Sequence, residues 1–297
     1  MRLNPLSLSL ITTFRPKRRS RIRMLVMRVG IIGGGTIARL FVSHIRRGDL
    51  GRARVVAIAG RNERSRGRQV AKDYRIPYVS GPHALLAKRP DVVVEAASHE
   101  AVREYGEAVL KKGVAFIVLS CGALCDDALR RGLERAAERG RALLSVPSGG
   151  IGGLDALKSA CLAGVEEVSI EVAKPPAAWK GIPFVEKLGV NILELGKPMV
   201  LFEGPAREGV PHFPQNVNIA AILAMAGIGF DRTRLRVVAD PALSRNTHTI
   251  RVTGASGRFT VVMENVPAPN NPKTAWLACY SALAALRELA SRVKYGT

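Results

Sequence analysis

The chain has 297 residues, 47% of them hydrophobic and 23% charged, with a formal net charge of +21. That length exceeds an ordinary single core and points to two domains, while no apolar run reaches the roughly 18 residues of a membrane span. The charge raises the question of nucleic acid. However, eight basic residues lie within 1–28, no acidic residue precedes Asp49, and the remaining charge is scattered over helices without basic–aromatic interleaving. Neither nucleic acid nor a membrane is therefore expected as a partner.

In residues 1–26, the apolar run Leu6–Ile11 precedes the basic cluster from Arg15 to Arg23, the reverse of a secretory signal. The segment is expected to be a disordered or non-native leader, with Met24 or Met27 as alternative starts; its composition also fits an organelle transit peptide. Four cysteines, Cys121, Cys125, Cys161 and Cys279, form no ligand pairs of zinc spacing. No metal is expected, and so few cysteines point to a reducing, cytoplasmic compartment.

The first informative segment is Met27–Ala38, MRVGIIGGGTIA. Val29, Ile31 and Ile32 read as a strand, Gly33-x-Gly35-x-x-Ala38 as a tight turn, and Ile37, Leu40, Phe41 and Ile45 as one face of a helix. Strand, glycine turn and helix in this order form a dinucleotide-binding fingerprint. Gly33 permits the turn, Gly35 lets backbone approach a pyrophosphate, and the N-terminus at Thr36 and Ile37 offers free N–H groups to it.

Alternation continues to Pro147. Strands are predicted at Arg28–Ile32, Arg54–Ala59, Pro77–Val79, Asp91–Ala96, Ala115–Leu119 and Ala142–Val146. Helices are predicted at Thr36–Arg47, Glu63–Tyr74, Pro82–Lys88, Glu100–Lys112 and Asp126–Arg139. Such βαβ alternation builds a parallel sheet. Further on, helices are predicted at Leu154–Ala163 and Pro214–Ala226, and strands at Val168–Ala173, Leu235–Val238, His248–Thr253 and Arg258–Glu264. A last helix spans Pro272–Arg292. The fold class is α/β: a Rossmann-type doubly wound parallel sheet with a second α+β domain carrying a mixed sheet. The expected boundaries are 27–148 for dinucleotide binding, 149–271 for substrate and catalysis, and 272–297 for a helix returning to the first domain. The mixed sheet could pair two copies into a homodimer.

An acidic residue ~20 residues past the glycines would bind the ribose 2′-OH of NAD. Here Gly60-Arg61-Asn62 stands in its place, followed by Arg64, Arg66 and Arg68. Arginine suits a 2′-phosphate, so NADP is favoured with NAD left open; a solvated basic helix face is the plainer alternative. Ala97 and Ser98, in the loop after the fourth strand, are small enough to sit beside the nicotinamide ribose, although Ser98 could equally cap a helix. His99 reads as a surface helix residue. His248, beside polar Asn246, is favoured as a proton shuttle over a structural histidine. Asn216 and Asn218, two residues apart at the start of a predicted helix, could be plain caps; Asn218 could instead bind a carboxamide or carboxylate. Asn265, Asn270, Asn271, Lys273 and Thr274 form a polar knot at the start of the last helix, a capped turn or an anion site.

The segments GIIGGGTIA, Glu95–Ser98, Ser120–Leu124, Pro147–Ala156, Phe213–Ala221, Ala239–Pro241, Asn246–His248 and Asn271–Thr274 together resemble the L-aspartate dehydrogenase family of archaea and bacteria. The resemblance covers about residues 27–292. It implies NAD(P)-dependent oxidation of L-aspartate to iminoaspartate, which hydrolyses to oxaloacetate and ammonia and can feed NAD synthesis. It places the catalytic histidine at His248 and cofactor contacts at Asn218 and Gly150, the latter an alanine in the family pattern. Asn246, Lys273 and Thr274 are candidate substrate contacts, with Lys273 or Arg245 as the cation for the carboxylates. Rival readings are a homoserine dehydrogenase or dihydrodipicolinate reductase of similar architecture and, from the net charge, a nucleic-acid-binding or nucleotide-sensing protein.

Overall fold

A computed structural model describes residues 26–214, 216–268 and 271–296, with 271–274 by their backbone alone. The leader, apart from Val26, lies outside these described residues.

The first sheet has six strands: β1 (Met27–Ile32), β2 (Ala53–Gly60), β3 (Tyr78–Ser80), β4 (Val92–Glu95), β5 (Ala115–Val118) and β6 (Leu144–Ser145). Their spatial order is β3-β2-β1-β4-β5-β6, and every pairing is parallel. This is the doubly wound arrangement, with its switch point between β1 and β4. The interleaved helices are α1 (Thr36–Arg47), α2 (Arg66–Asp73), α3 (Pro82–Ala87), α4 (His99–Lys111) and α5 (Asp127–Gly140). Val92, Val93, Val94, Phe116 and Ile117 are buried, as strands covered on both faces require.

The chain leaves the first sheet through Pro147–Gly153 and forms α6 (Leu154–Ala163), β7 (Val165–Lys174), α7 (Pro183–Glu186), β8 (Met199–Pro205), α8 (Ala206–Gly209), α9 (Asn218–Ala226), β9 (Thr233–Ala239), β10 (Asn246–Gly254) and β11 (Gly257–Asn265). The second sheet runs β11-β10-β7-β9-β8. β7 and β9 are parallel and the other pairs antiparallel, so the sheet is mixed. β8 falls where the sequence shows only a Pro-rich loop. It is an edge strand, the one place where a terminal Pro205 leaves no ladder donor missing.

The last helix begins later than its sequence suggests. Residues Asn271–Ala275 form a short strand, β13, paired with β12 (Pro267–Ala268), and α10 spans Trp276–Ala290. Asn271 precedes Pro272 and is thereby held in extended backbone, so Pro272 lies near the start of a strand instead of opening the helix. Ala282, Leu283 and Leu286 of α10 pack into the cluster of Val29, Ile31, Phe41 and Ile117. A second cluster is continuous from Val93 and Phe116 of the first sheet to Ile170 and Val237 of the second.

Candidate active site

The carboxyl ends of the parallel strands open into a cavity of about 710 Å³, closed by residues of β7, α9, β10 and the start of α10. Its size suits a nucleotide cofactor with a small substrate.

At the outer end lies the glycine turn. Gly33 has φ +109°, and a Cβ there would stand 2.4 Å from the Ala96 carbonyl oxygen. Its N–H donates to the Ala59 oxygen at 2.9 Å, which clamps the turn onto β2. Gly35 precedes α1, whose first turn holds no acidic residue and receives no side-chain cap; a Cβ on Gly35 would meet nothing within 4 Å. Free N–H groups and the positive end of the helix dipole therefore face open space.

Beyond β2, Arg61, Asn62, Arg64, Ser65 and Arg66 line the same cavity. The Asn62 N–H donates to Ser65 Oγ at 3.1 Å and the Arg64 N–H to Asn62 Oδ1 at 3.0 Å, closing a compact turn. Glu63 is turned away and pairs with Arg68 at 2.7 Å. Across the cavity the Ser98 side chain, and more weakly the charge of Arg61, hold Glu100 below the usual carboxylate range.

Mid-cavity, the loops after β4 and β5 are joined by one buried carboxylate. Glu95 Oε1 accepts from Ala97 N at 2.7 Å, Ser98 N at 2.9 Å and Ser120 Oγ at 2.9 Å, and Oε2 accepts from Ser120 N at 2.9 Å. Burial pushes the Glu95 carboxyl up, against the pull of those hydrogen bonds. Asn218 opens α9 opposite. Its Oδ1 accepts from Gly122 N at 2.9 Å, which leaves the amide N–H groups for a ligand. A Cβ on Gly122 would lie 2.8 Å from both Asn218 Oδ1 and His99 Nε2, so the glycine makes room for this packing. His99 is half-buried and lines the cavity. It is not the surface residue its place at a helix start suggests, because α9 packs over that start.

The inner end holds the densest chemistry. His248 and Asn246, on β10, are 2% exposed each. His248 Nδ1 lies 3.2 Å from the Gly150 oxygen, and Asn265 Nδ2 donates to the same oxygen at 2.8 Å. Asn265 Nδ2 also stands 3.1 Å from His248 Nδ1; in the tautomer whose Nδ1–H donates to the carbonyl, Nε2 carries the lone pair, and Nε2 has no partner among the described residues. Burial first, and then the charge of Lys174, push the His248 pKa down to about 4, so the ring is a neutral base at pH 7. Asn246 Nδ2 is likewise buried and unpartnered among the described residues. Lys174 ends β7 with its ammonium donating to Asn216 O at 3.1 Å and Asn216 Oδ1 at 3.0 Å. Burial brings its pKa down to about 7.

One cavity thus gathers Gly33, Gly35, Thr36, Ile37, Arg61, Ala97, Ser98, Gly150, Asn218, Asn246 and His248. The side chains of Lys273 and Thr274 lie outside the described residues. Arg245 is exposed and outside the cavity lining. Of the proposed polar knot, Asn265 faces His248 and the helix starts only at Trp276; Asn270 and the side chain of Asn271 lie outside the described residues. Lys174 escapes sequence reading, and Asn216, an early-helix cap by its sequence, is instead the partner of Lys174. A lysine before Pro175 at a strand end looks like a solvated cap, and only the pairing of β7 with β10 brings it beside His248.

Residues 155–289 match the family model described as aspartate dehydrogenase, C-terminal, and residues 33–147 match the model described as homoserine dehydrogenase, NAD binding domain. Over 272 residues the chain is 40% identical to the L-aspartate dehydrogenase of Methanosarcina barkeri, covering 92% of this chain and 100% of that protein. The chain belongs to the L-aspartate dehydrogenase family. It is also 44% identical over 222 residues to L-aspartate dehydrogenase 2 of Bordetella pertussis, covering 75% of this chain and 82% of that one. The crystal structure of aspartate dehydrogenase from Thermotoga maritima aligns with a TM-score of 0.68 at 32% identity, over 91% of this chain and 99% of that one. The family member is an NAD(P)-dependent oxidoreductase. The uncapped helix start at Gly35, where no Cβ fills the space, and the unpartnered polar atoms of the inner end fit such a cofactor with a substrate beside it.

Proposed function

We propose that the protein oxidises L-aspartate to iminoaspartate, which hydrolyses to oxaloacetate and ammonia or leaves as the imine for NAD synthesis. The observation that carries this reading is the inner end of the cavity. There a buried lysine and a buried, unpartnered amide N–H stand beside a neutral, unpartnered imidazole nitrogen, the complement of a small dicarboxylate with an amino group.

The bound cofactor supplies the acceptor for the substrate Cα hydride. Gly33, Gly35, Thr36 and Ile37 would hold its pyrophosphate, Arg61 its adenosine ribose or 2′-phosphate, Ala97 and Ser98 its second ribose, and Asn218 and Gly150 its carboxamide end. Lys174 and Asn246 anchor the substrate carboxylates. His248 Nε2 takes a proton from the substrate ammonium, so that the free amine lone pair drives hydride departure. It releases that proton to solvent, then takes one from the water that adds to the iminium carbon and returns it to the departing nitrogen, so that ammonia leaves. The Gly150 carbonyl, fixed by Asn265, keeps the imidazole in the tautomer this requires. A homodimer in the cytoplasm is part of the same proposal, with the outward sheet face, where Arg251, Thr260, Val262 and Glu264 are exposed, as its joining surface.

The test is formation of reduced cofactor by purified protein offered each standard amino acid and homoserine. L-aspartate alone is expected to react well. Turnover of homoserine without L-aspartate would replace this reading by the homoserine dehydrogenase one.

A further inference from the structure

Glu95 is a buried carboxyl with no counter-ion among the described residues. It is 0% exposed, and its two oxygens take four hydrogen bonds from Ala97, Ser98 and Ser120. Three of those donors are backbone N–H groups, which can only donate, so the arrangement is built for the ionised carboxylate. Hydrogen bonds satisfy the oxygen lone pairs, yet they leave the net charge uncompensated. Buried carboxylates ordinarily have a cation beside them. Among the described residues no lysine, arginine or histidine pairs with Glu95. The carboxylate also stands at a particular place. It lies directly beneath the two loops, 96–98 and 119–121, that line the cavity beside the switch point of the first sheet.

We propose that the missing cation is the oxidised nicotinamide ring, and that Glu95 biases the site toward the oxidised cofactor. The oxidised ring carries a formal positive charge and the reduced ring carries none. A fixed anion in a water-poor wall therefore attracts one form and is indifferent to the other. In an interior of low effective dielectric that difference survives over several ångströms. The benefit is specific to amino-acid oxidation, since the oxidised form must enter the site in competition with the reduced product. Glu95 acts as a positioning residue for the two loops and as an electrostatic one for the ring above them. The inference rests on placing the nicotinamide between Ser98, Asn218 and His248.

The experiment measures two dissociation constants without any amino acid present: NADPH by its fluorescence, and NADP⁺ by competition against NADPH. In Glu95→Gln both forms weaken, because a side-chain amide now meets an N–H donor. The affinity of NADP⁺ relative to NADPH is expected to fall about tenfold. Equal-fold losses for both forms, or no change, would overturn the proposal and leave Glu95 a structural link. Asn218→Ala checks the placement separately. Weaker binding of NADPH is expected there, and unchanged binding of both forms would overturn the placement and the proposal with it. Should Glu95→Gln not fold, Glu95→Asp draws the charge back by one methylene. It is expected to lower the same ratio by a smaller factor, and an unchanged ratio would again overturn the proposal.

Discussion

At the scale of single residues, the unexpected participant is Lys174. A lysine at the end of a strand reads as solvated from sequence, but here the ammonium is buried, with Asn216 as its hydrogen-bond partner and the Trp179 ring 5.0 Å away. Burial lowers its pKa to about 7, so the free site holds a cation below that pH and a neutral amine above it. Succinate, which has two carboxylates and no amine, isolates this charge. Its inhibition constant should worsen by up to about tenfold per pH unit above 7. Lys174→Met should bind it weakly with no such slope. A constant affinity from pH 6 to 9 in the native protein would remove Lys174 from the carboxylate site. At the other end of the cavity, Arg61 stands where an acidic residue would select NAD. Arg61→Ala is expected to weaken NADPH about tenfold, the worth of one charge-assisted hydrogen bond, and to leave NADH nearly unchanged. A strong preference for NADH that survives the substitution would contradict the assignment.

At the scale of elements, the glycine turn is where sequence and structure agree most closely, and the reason is steric. Gly33 needs a positive φ and has the Ala96 carbonyl against it. Only glycine meets both demands, so the requirement is written in the sequence. Gly33→Ala should therefore destabilise the fold by about 1–3 kcal/mol through backbone strain, read as a lowered denaturation midpoint, and weaken NADPH as well. Gly35→Ala makes the opposite case. Its backbone φ is −82° and a Cβ there meets nothing, so stability should stay close to native while the methyl intrudes on the pyrophosphate place and NADPH affinity falls. Loss of stability in Gly35→Ala with normal cofactor affinity would show that the turn serves the fold alone. Elements defined by long-range partners were harder to read. β8 exists because β9 offers it an edge, and the short apolar run Met199–Phe202 alone does not tell a strand from a turn of helix. The start of α10 was misplaced because Pro272 fits a helix N-terminus and a strand approach equally well, and the pairing of β13 with β12 decides between them. The half-burial of His99 depends in the same way on α9, an element more than a hundred residues away.

At the scale of the whole molecule, the site exists because two sheets share one core and meet at the carboxyl end of the first. The turn after β5 is the seam. Cys121 Sγ donates to the Asn218 oxygen at 3.2 Å, Gly122 N fixes the Asn218 amide, and Arg207 reaches from α8 to the Cys125 oxygen at 3.1 Å while paired with Asp231. Alternation of strands and helices foretold the first sheet, and its strand ends foretold which loops would line the cavity. The inner end was only half legible. His248 and Asn246 could be singled out by residue type and neighbours. Lys174, Asn216 and the contact of Asn265 with the Gly150 carbonyl required knowing that β7, β10 and β11 lie side by side. The proposed carboxylate-binding cation is the buried Lys174 and not the exposed Arg245, while the side chain of Lys273, the other candidate, lies outside the described residues.

The claim on which these relations converge is that His248 Nε2, buried, unpartnered and neutral at pH 7, moves the protons of the reaction. The most direct measurement is kcat for L-aspartate in His248→Asn, taken beside NADPH affinity and the thermal midpoint of the same preparation. The account expects kcat to fall by roughly 10²–10⁴, the ordinary worth of a general acid–base, with NADPH affinity nearly unchanged and the protein folded. A stable His248→Asn protein that turns over L-aspartate at close to the native rate would contradict it.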